Sequence, residues 1–176
     1  MRKQSILLLA TIVTLVFLVD LSFAELPKYE IIDLGLGTAY GINDAGQVVG
    51  CRWSIGGERA FLWDRTTGMM DLGTLGGSWS VARAINDAGQ VIGWSRTAGG
   101  ENHAFLWDKT GGMIDLGTLP GRSHSGPGGI NNASQVVGAS GTAFLWQDGK
   151  MIDLGVLGDS PSAALGINNR VQVVGY

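Results

Sequence analysis

The chain has 176 residues, 12 Lys+Arg against 15 Asp+Glu, 45% apolar and 15% charged side chains. It is too hydrophobic for a disordered chain and lacks the basic excess of a nucleic-acid binder. Its single cysteine excludes a disulfide scaffold and a Cys-based zinc site, while its 29 glycines far exceed the average usage of about 7%.

Met1–Ala24 has the layout of a secretory signal: Arg2 and Lys3, a largely apolar run from Ile6 to Val19, then Ser22 and Ala24 at −3 and −1 of a cut before Glu25. The apolar run is shorter than the roughly 18 to 20 residues that span a bilayer, so cleavage is expected rather than anchoring. No second long apolar run follows, so no stable membrane insertion is expected afterwards. The product should be exported to the periplasm, the cell surface or the medium.

From residue 29 the chain is one unit written almost four times. A strand is expected at 29–34, ending in Asp33-Leu34-Gly35, a block that returns at Asp71, Asp115 and Asp153 with spacings of 38, 44 and 38 residues. Gly41-Ile42-Asn43-Asp44-Ala45-Gly46-Gln47-Val48-Val49-Gly50 recurs from Ala84 to Gly93, and more loosely from Gly129 to Gly138 and Gly166 to Gly175. Ala60-Phe61-Leu62-Trp63 recurs at Ala104–Trp107 and Ala143–Trp146, predicting strands near 59–64, 103–108 and 142–147. These strands are apolar on both faces, so they should be covered on both sides. Trp63, Trp107 and Trp146 share one register and are read as core between units.

Each unit resolves into four strands: Ala-Phe-Leu-Trp, then Met-x-Asp-Leu-Gly across a turn, then the Ile-Asn strand, then Gln-Val-Val-Gly. Four strands in about 40 to 45 residues is the length of a propeller blade. The expected fold is all-β, a β-propeller-like array of about four four-stranded blades, the last incomplete. The domains are a signal peptide at 1–24 and a repeat domain at 25–176, with units at 33–70, 71–114, 115–152 and a partial one at 153–176. Three Ala-Phe-Leu-Trp copies against four of every other block predict 15 strands. Three explanations stay open: a fragment of a longer product, a marginal ring, or a half-ring that self-associates through its unclosed side.

The blocks are similar to the HAF repeat of probable extracellular bacterial proteins. His103-Ala104-Phe105-Leu106-Trp107-Asp108 through Met113-Ile114-Asp115-Leu116-Gly117-Thr118-Leu119 match it, as do Asp71 to Ser78 running on to Gly93. The resemblance covers residues 29 to 176 and implies export and repeat architecture, with no catalytic residue to carry over. The histidine is replaced by Arg59 and Thr142 in other copies, which argues against a shared functional role.

The third and fourth copies carry Ser134 and Val171 where the first two have Gly46 and Gly89. Either Asn132 and Asn169 take over the left-handed conformation there, or these hairpins are strained. The repeated Asp33, Asp71, Asp115 and Asp153 are read as turn formers bonding backbone amides, and Asn43-Asp44 and Asn86-Asp87 likewise, rather than as acid/base or calcium groups. Cys51, following Val48-Val49-Gly50, is read as a packed strand residue, with a reactive thiol or an intermolecular disulfide as the alternative.

Local function should lie in residues that do not repeat. The variable loops hold Trp53, Trp79, Trp94, Glu58, Glu101, His103, Arg122 and His124, the ligand-binding candidates. Exposed tryptophans make platforms for sugar rings or partner side chains. The alternative for Trp53 and Trp94, two places apart in register and so on one strand face, is packing between blades. His103 and His124 have no nucleophile motif near them. The expectation is a non-catalytic binding or scaffold module without metal or cofactor, whose partner is an extracellular protein or carbohydrate. The alternative is a secreted propeller hydrolase or lyase acting on polysaccharide. Two or more of Glu58, Glu101, His103 and His124 in one pocket would favour it.

Overall fold

The computed structural model describes residues 30–35, 37–156, 158 and 161–176, so the signal segment 1–24 and Tyr29 lie outside the described residues. The chain divides into two units, Met1–Asp33 and Leu34–Tyr176, and every strand described belongs to the second. There are 14 strands and no helix among the described residues: β1 (Thr38–Ile42), β2 (Val48–Ser54), β3 (Gly57–Asp64), β4 (Gly68–Asp71), β5 (Gly76–Ile85), β6 (Val91–Thr97), β7 (Asn102–Asp108), β8 (Gly112–Asp115), β9 (Gly126–Ile130), β10 (Val136–Ser140), β11 (Thr142–Gln147), β12 (Lys150–Gly155), β13 (Ala164–Ile167) and β14 (Val173–Gly175). They form four antiparallel meanders in chain order: β1–β4, β5–β8, β9–β12 and the hairpin β13–β14.

Of the strand expected at 29–34, the described residues 30–34 join no ladder, so the described residues hold 14 strands where 15 are expected. A strand of the Asp-Leu-Gly kind pairs with an Ala-Phe-Leu-Trp strand. Each of the three such strands, β3, β7 and β11, already has its own partner in β4, β8 and β12.

Consecutive sheets bury side chains against each other. Val49, Ala60 and Leu62 of the first sheet meet Ala82, Val91, Phe105 and Trp107 of the second. The opposite face of the second sheet, with Ile92, Ala104 and Leu106, meets Val136 and Phe144 of the third, and Trp146 packs there too. Val137, Ala143 and Leu145 then meet Ala164 and Ile167 of the hairpin. The alternation along each Ala-Phe-Leu-Trp strand explains its double apolarity: Phe and Trp face the preceding sheet, Ala and Leu the following one. Trp63 has the same register but faces away from the second sheet and is only half-buried.

Two largely buried sets of polar bonds tie sheet to sheet. Asn43 Nδ2 donates to the Asn86 carbonyl (3.1 Å), Asn86 Nδ2 to that of Asn131 (3.0 Å), and Asn131 Nδ2 to that of Asn168 (3.2 Å). In every copy the same asparagine also closes its own loop, accepting from the backbone of the glutamine four residues on. The second set is a serine latch. Ser80, Ser125 and Ser162 each accept the backbone N–H of Ala60, Ala104 and Ala143 in the preceding sheet, at 2.9–3.0 Å. Each also donates to the carbonyl of the Asp-Leu-Gly glycine. All three serines stand six residues before the loop asparagine, a periodicity present in the sequence but outside the repeat blocks described above.

The aspartates of Asp-Leu-Gly bond the glycine amide two residues on, at 2.8, 2.7 and 2.8 Å for Asp71, Asp115 and Asp153. Their second partner is the residue at the histidine position: Arg59 (3.4 Å), His103 (2.8 Å) and Thr142 (2.8 Å). Arg, His and Thr interchange there because each offers a donor to the neighbouring strand's carboxylate.

In the loops, Ser134 (φ 63°) and Val171 (φ 60°) occupy the left-handed conformation themselves, as Gly46 and Gly89 do. Valine there costs about 1–2 kcal/mol relative to glycine, because its branched Cβ crowds the backbone. Val171→Gly is therefore expected to raise stability by about 1 kcal/mol, and Ser134→Gly by less, in parallel urea melts.

Candidate functional site

A concavity of about 750 Å³ is lined by residues from all four sheets. It runs past the middle of β5 and the N-terminal halves of β9 and β13. The asparagine ladder lies beyond their C-terminal ends and borders a smaller cavity of about 290 Å³. Trp79 and Val81 of β5 and Trp94 of β6 form one wall, with Gly126, Pro127 and Gly128 of β9, Gly138, and Ala164 and Leu165 of β13 opposite. Trp79 and Val81 flank Ser80, whose latch turns it toward the first sheet, so strand alternation sends the two of them the other way. Val81 lies opposite Trp94 in the ladder. The Trp94 indole edge sits on Gly126, where an added Cβ would come within 2.4 Å of Nε1.

The polar rim comes from Glu58, Asn102, His124 and Ser125. The linker from β8 to β9 brings in His124. Its ring is fixed because Nδ1 accepts the Asn102 backbone N–H (3.1 Å), while its carbonyl accepts from Ser140 Oγ (2.9 Å). Nδ1 is therefore the unprotonated nitrogen of the neutral ring and Nε2 carries the hydrogen. Glu58 is half-buried and accepts a long contact of 3.8 Å from the Cys51 thiol. Burial, followed by the Glu58 charge, pushes that thiol above its ordinary value, and Cys51 is buried at 4% exposure. It is a packed strand residue in this structure.

Four of the eight sequence candidates thus share the cleft: Glu58, Trp79, Trp94 and His124. Arg122 lies beside it, folded over the lining residue Gly141, where a Cβ would meet its Nε at 2.4 Å. The guanidinium also helps hold the Asp153 carboxyl below its usual range, after the Gly155 amide and the Thr142 hydroxyl.

The other three lie elsewhere. Glu101 bonds back to Thr97 Oγ1 (2.7 Å), which more than any other contact lowers its pKa. His103 is held by Asp115. Trp53 is 74% exposed near the end of β2, so packing between sheets, its alternative reading, does not occur. Trp94, on the same face, does pack against the third sheet at Gly126. Asn102 falls in a variable stretch of the sequence just before the strand expected at 103–108, but it carries neither the charge nor the ring by which the candidates are singled out. No group of three or more His, Cys, Asp or Glu among the described residues could hold a metal ion. Compared with known proteins, the chain matches no family model, and no curated protein is significantly similar to it.

Proposed function

We propose that this chain is an exported, non-catalytic binding module of the HAF-repeat type, whose sheets are blades of a propeller-like array and whose ligand sits in the Trp79–Trp94 cleft. The blade reading is supported by contacts of β1 with β5, β5 with β9 and β9 with β13, and by the asparagine ladder along those strands. Export is supported by the signal-like segment 1–24, and the repeat blocks carry the family resemblance. The outer edge of β14 is unpaired among the described residues, with Val174 and Tyr176 exposed, which supports self-association or strand addition there.

The observation that carries the reading is the convergence of Glu58, Trp79, Trp94 and His124, chosen as variable residues, on one largely apolar cleft. The same convergence of Glu58 with His124 favours the alternative, a secreted hydrolase or lyase acting on polysaccharide. Against its hydrolase form, glycoside cleavage uses two carboxylates about 5–10 Å apart, and among the described residues Glu58 is the only carboxylate lining this cleft. Tryptophan fluorescence and amide chemical shifts, recorded while titrating a panel of oligosaccharides and extended peptides, test the binding reading. A panel member should bind, lose affinity in Trp79→Ala, and be recovered intact. Turnover of a bound sugar, or no response that depends on the cleft, would overturn it.

A further inference from the structure

Resting on the reading of this cleft as a binding site, we propose that its ligand is a neutral pyranose oligosaccharide, stacked on Trp79 and Trp94 and bonded through its hydroxyls to Glu58, Asn102 and His124. The cleft combines two kinds of surface. Its wall is indole, and its opposite side is backbone with little side chain, at Gly126, Pro127 and Gly128. A broad, flat ligand can approach both. A pyranose ring has such a shape, with an apolar C–H face that suits an indole and hydroxyls around its perimeter.

The polar groups at the rim retain hydrogen-bonding capacity. The Asn102 side-chain amide has no protein partner among the described residues and His124 Nε2 keeps its hydrogen free, whereas the N–H edge of Trp94 is covered by Gly126. Glu58 has only the long thiol contact. Together they offer a carboxylate acceptor, an amide that both donates and accepts, and an imidazole donor. A hydroxyl serves each, because it both donates and accepts.

Two competing classes fit less well. An extended peptide would pair with a regular strand edge. Here the first strand of the third sheet carries Pro127, which has no N–H, and a register shift beside it. An anionic glycan would meet the Glu58 carboxylate, while Arg122, the nearby cation, already faces Asp153.

The test is calorimetric titration of the protein with cellopentaose, maltopentaose, laminaripentaose and chitotetraose, beside an oligogalacturonate and an extended peptide. At least one neutral sugar should bind, about tenfold more weakly in Trp94→Ala and unchanged in Trp53→Ala, whose indole lies outside the cleft. Because Trp94 also packs on Gly126, Glu58→Gln is the second variant; it should weaken binding several-fold without lowering the melting temperature. Failure of all four neutral sugars at millimolar concentration overturns the proposal. If the peptide or the oligogalacturonate binds instead in a Trp94-dependent way, the sugar assignment falls while the binding module stands. Cleavage of a bound sugar has the opposite effect, sparing the ligand class and sinking the module.

Discussion

Gly93→Ala is expected to destabilise the protein by about 3 kcal/mol or more, enough to cost much of its folded population. The cause is a bulge placed identically in all four sheets. Gly93 pairs with Ala82 but Ile92 with Ala84, so Arg83 is an extra residue in β5. Tyr40, Gly128 and Leu165 are the extra residues at the same step of β1, β9 and β13. The kinked strand brings the Val81 carbonyl to 2.0 Å from where a Gly93 Cβ would sit, and the Phe105 ring to 2.7 Å on the other side. A backbone oxygen held in a ladder cannot retreat as a flexible side chain could, and the ring is fully buried. Gly46→Ala provides the comparison. Gly46 has φ 75° and nothing within 4 Å of its added Cβ, so only the conformational cost of about 1 kcal/mol applies. Urea melts of the two variants decide the matter, and equal losses would mean that the clash at Gly93 relaxes freely.

This glycine illustrates where sequence reading stops. The Val-Val-Gly block announces a strand, and the repetition announces one sheet per unit. The bulge that makes glycine obligatory arises from pairing with a strand that begins several residues upstream, and no local pattern states that register. The asparagines follow the same logic. Asn43 and Asn86 read correctly as loop formers, because the loop is local. Their bonds to the next sheet span 43 and 45 residues, about one repeat, so each copy touches its own successor.

For the cleft, non-repetition was a useful guide up to a point. It selected Glu58, Trp79, Trp94 and His124, which converge. It also selected Glu101 and His103, which lie outside the cleft and are bonded to Thr97 and Asp115, and neither contact is visible without the fold. The failed strand at 29–34 has a similar origin. Its residues match the Asp-Leu-Gly pattern of β4, β8 and β12, yet a strand forms only where a complementary edge is open.

Asn86→Ala should cost about 3–5 kcal/mol, because one amide serves three bonds at a buried position. Asn86 is 5% exposed, donates to Gln90 Oε1 (2.7 Å) and to the Asn131 carbonyl (3.0 Å), and accepts the Gln90 N–H (2.9 Å). Truncation leaves the Gln90 amide and the Asn131 carbonyl short of partners in a place water reaches poorly. Asn168 closes the same loop but is exposed, so Asn168→Ala should cost only about 1 kcal/mol. Beside this ladder runs a second one in which Asp87 accepts from the Asn132 amide (2.8 Å) and the Asp44 backbone N–H (3.3 Å). These bonds, the Asn132 one foremost, hold the Asp87 carboxyl below its ordinary 3.8. A carboxyl with a depressed folded pKa contributes stability above its unfolded value and loses it as pH falls through the folded value. The melting temperature of the wild-type protein should therefore drop on acidification below about pH 4. Asp87→Asn, which installs the residue that the third and fourth copies already carry at Asn132 and Asn169, should make that acid limb shallower. Melts of wild type, Asn86→Ala, Asn168→Ala and Asp87→Asn from pH 7 to 2.5 would check both claims. Equal costs at Asn86 and Asn168 would show that the bonds between sheets contribute nothing beyond closing each loop.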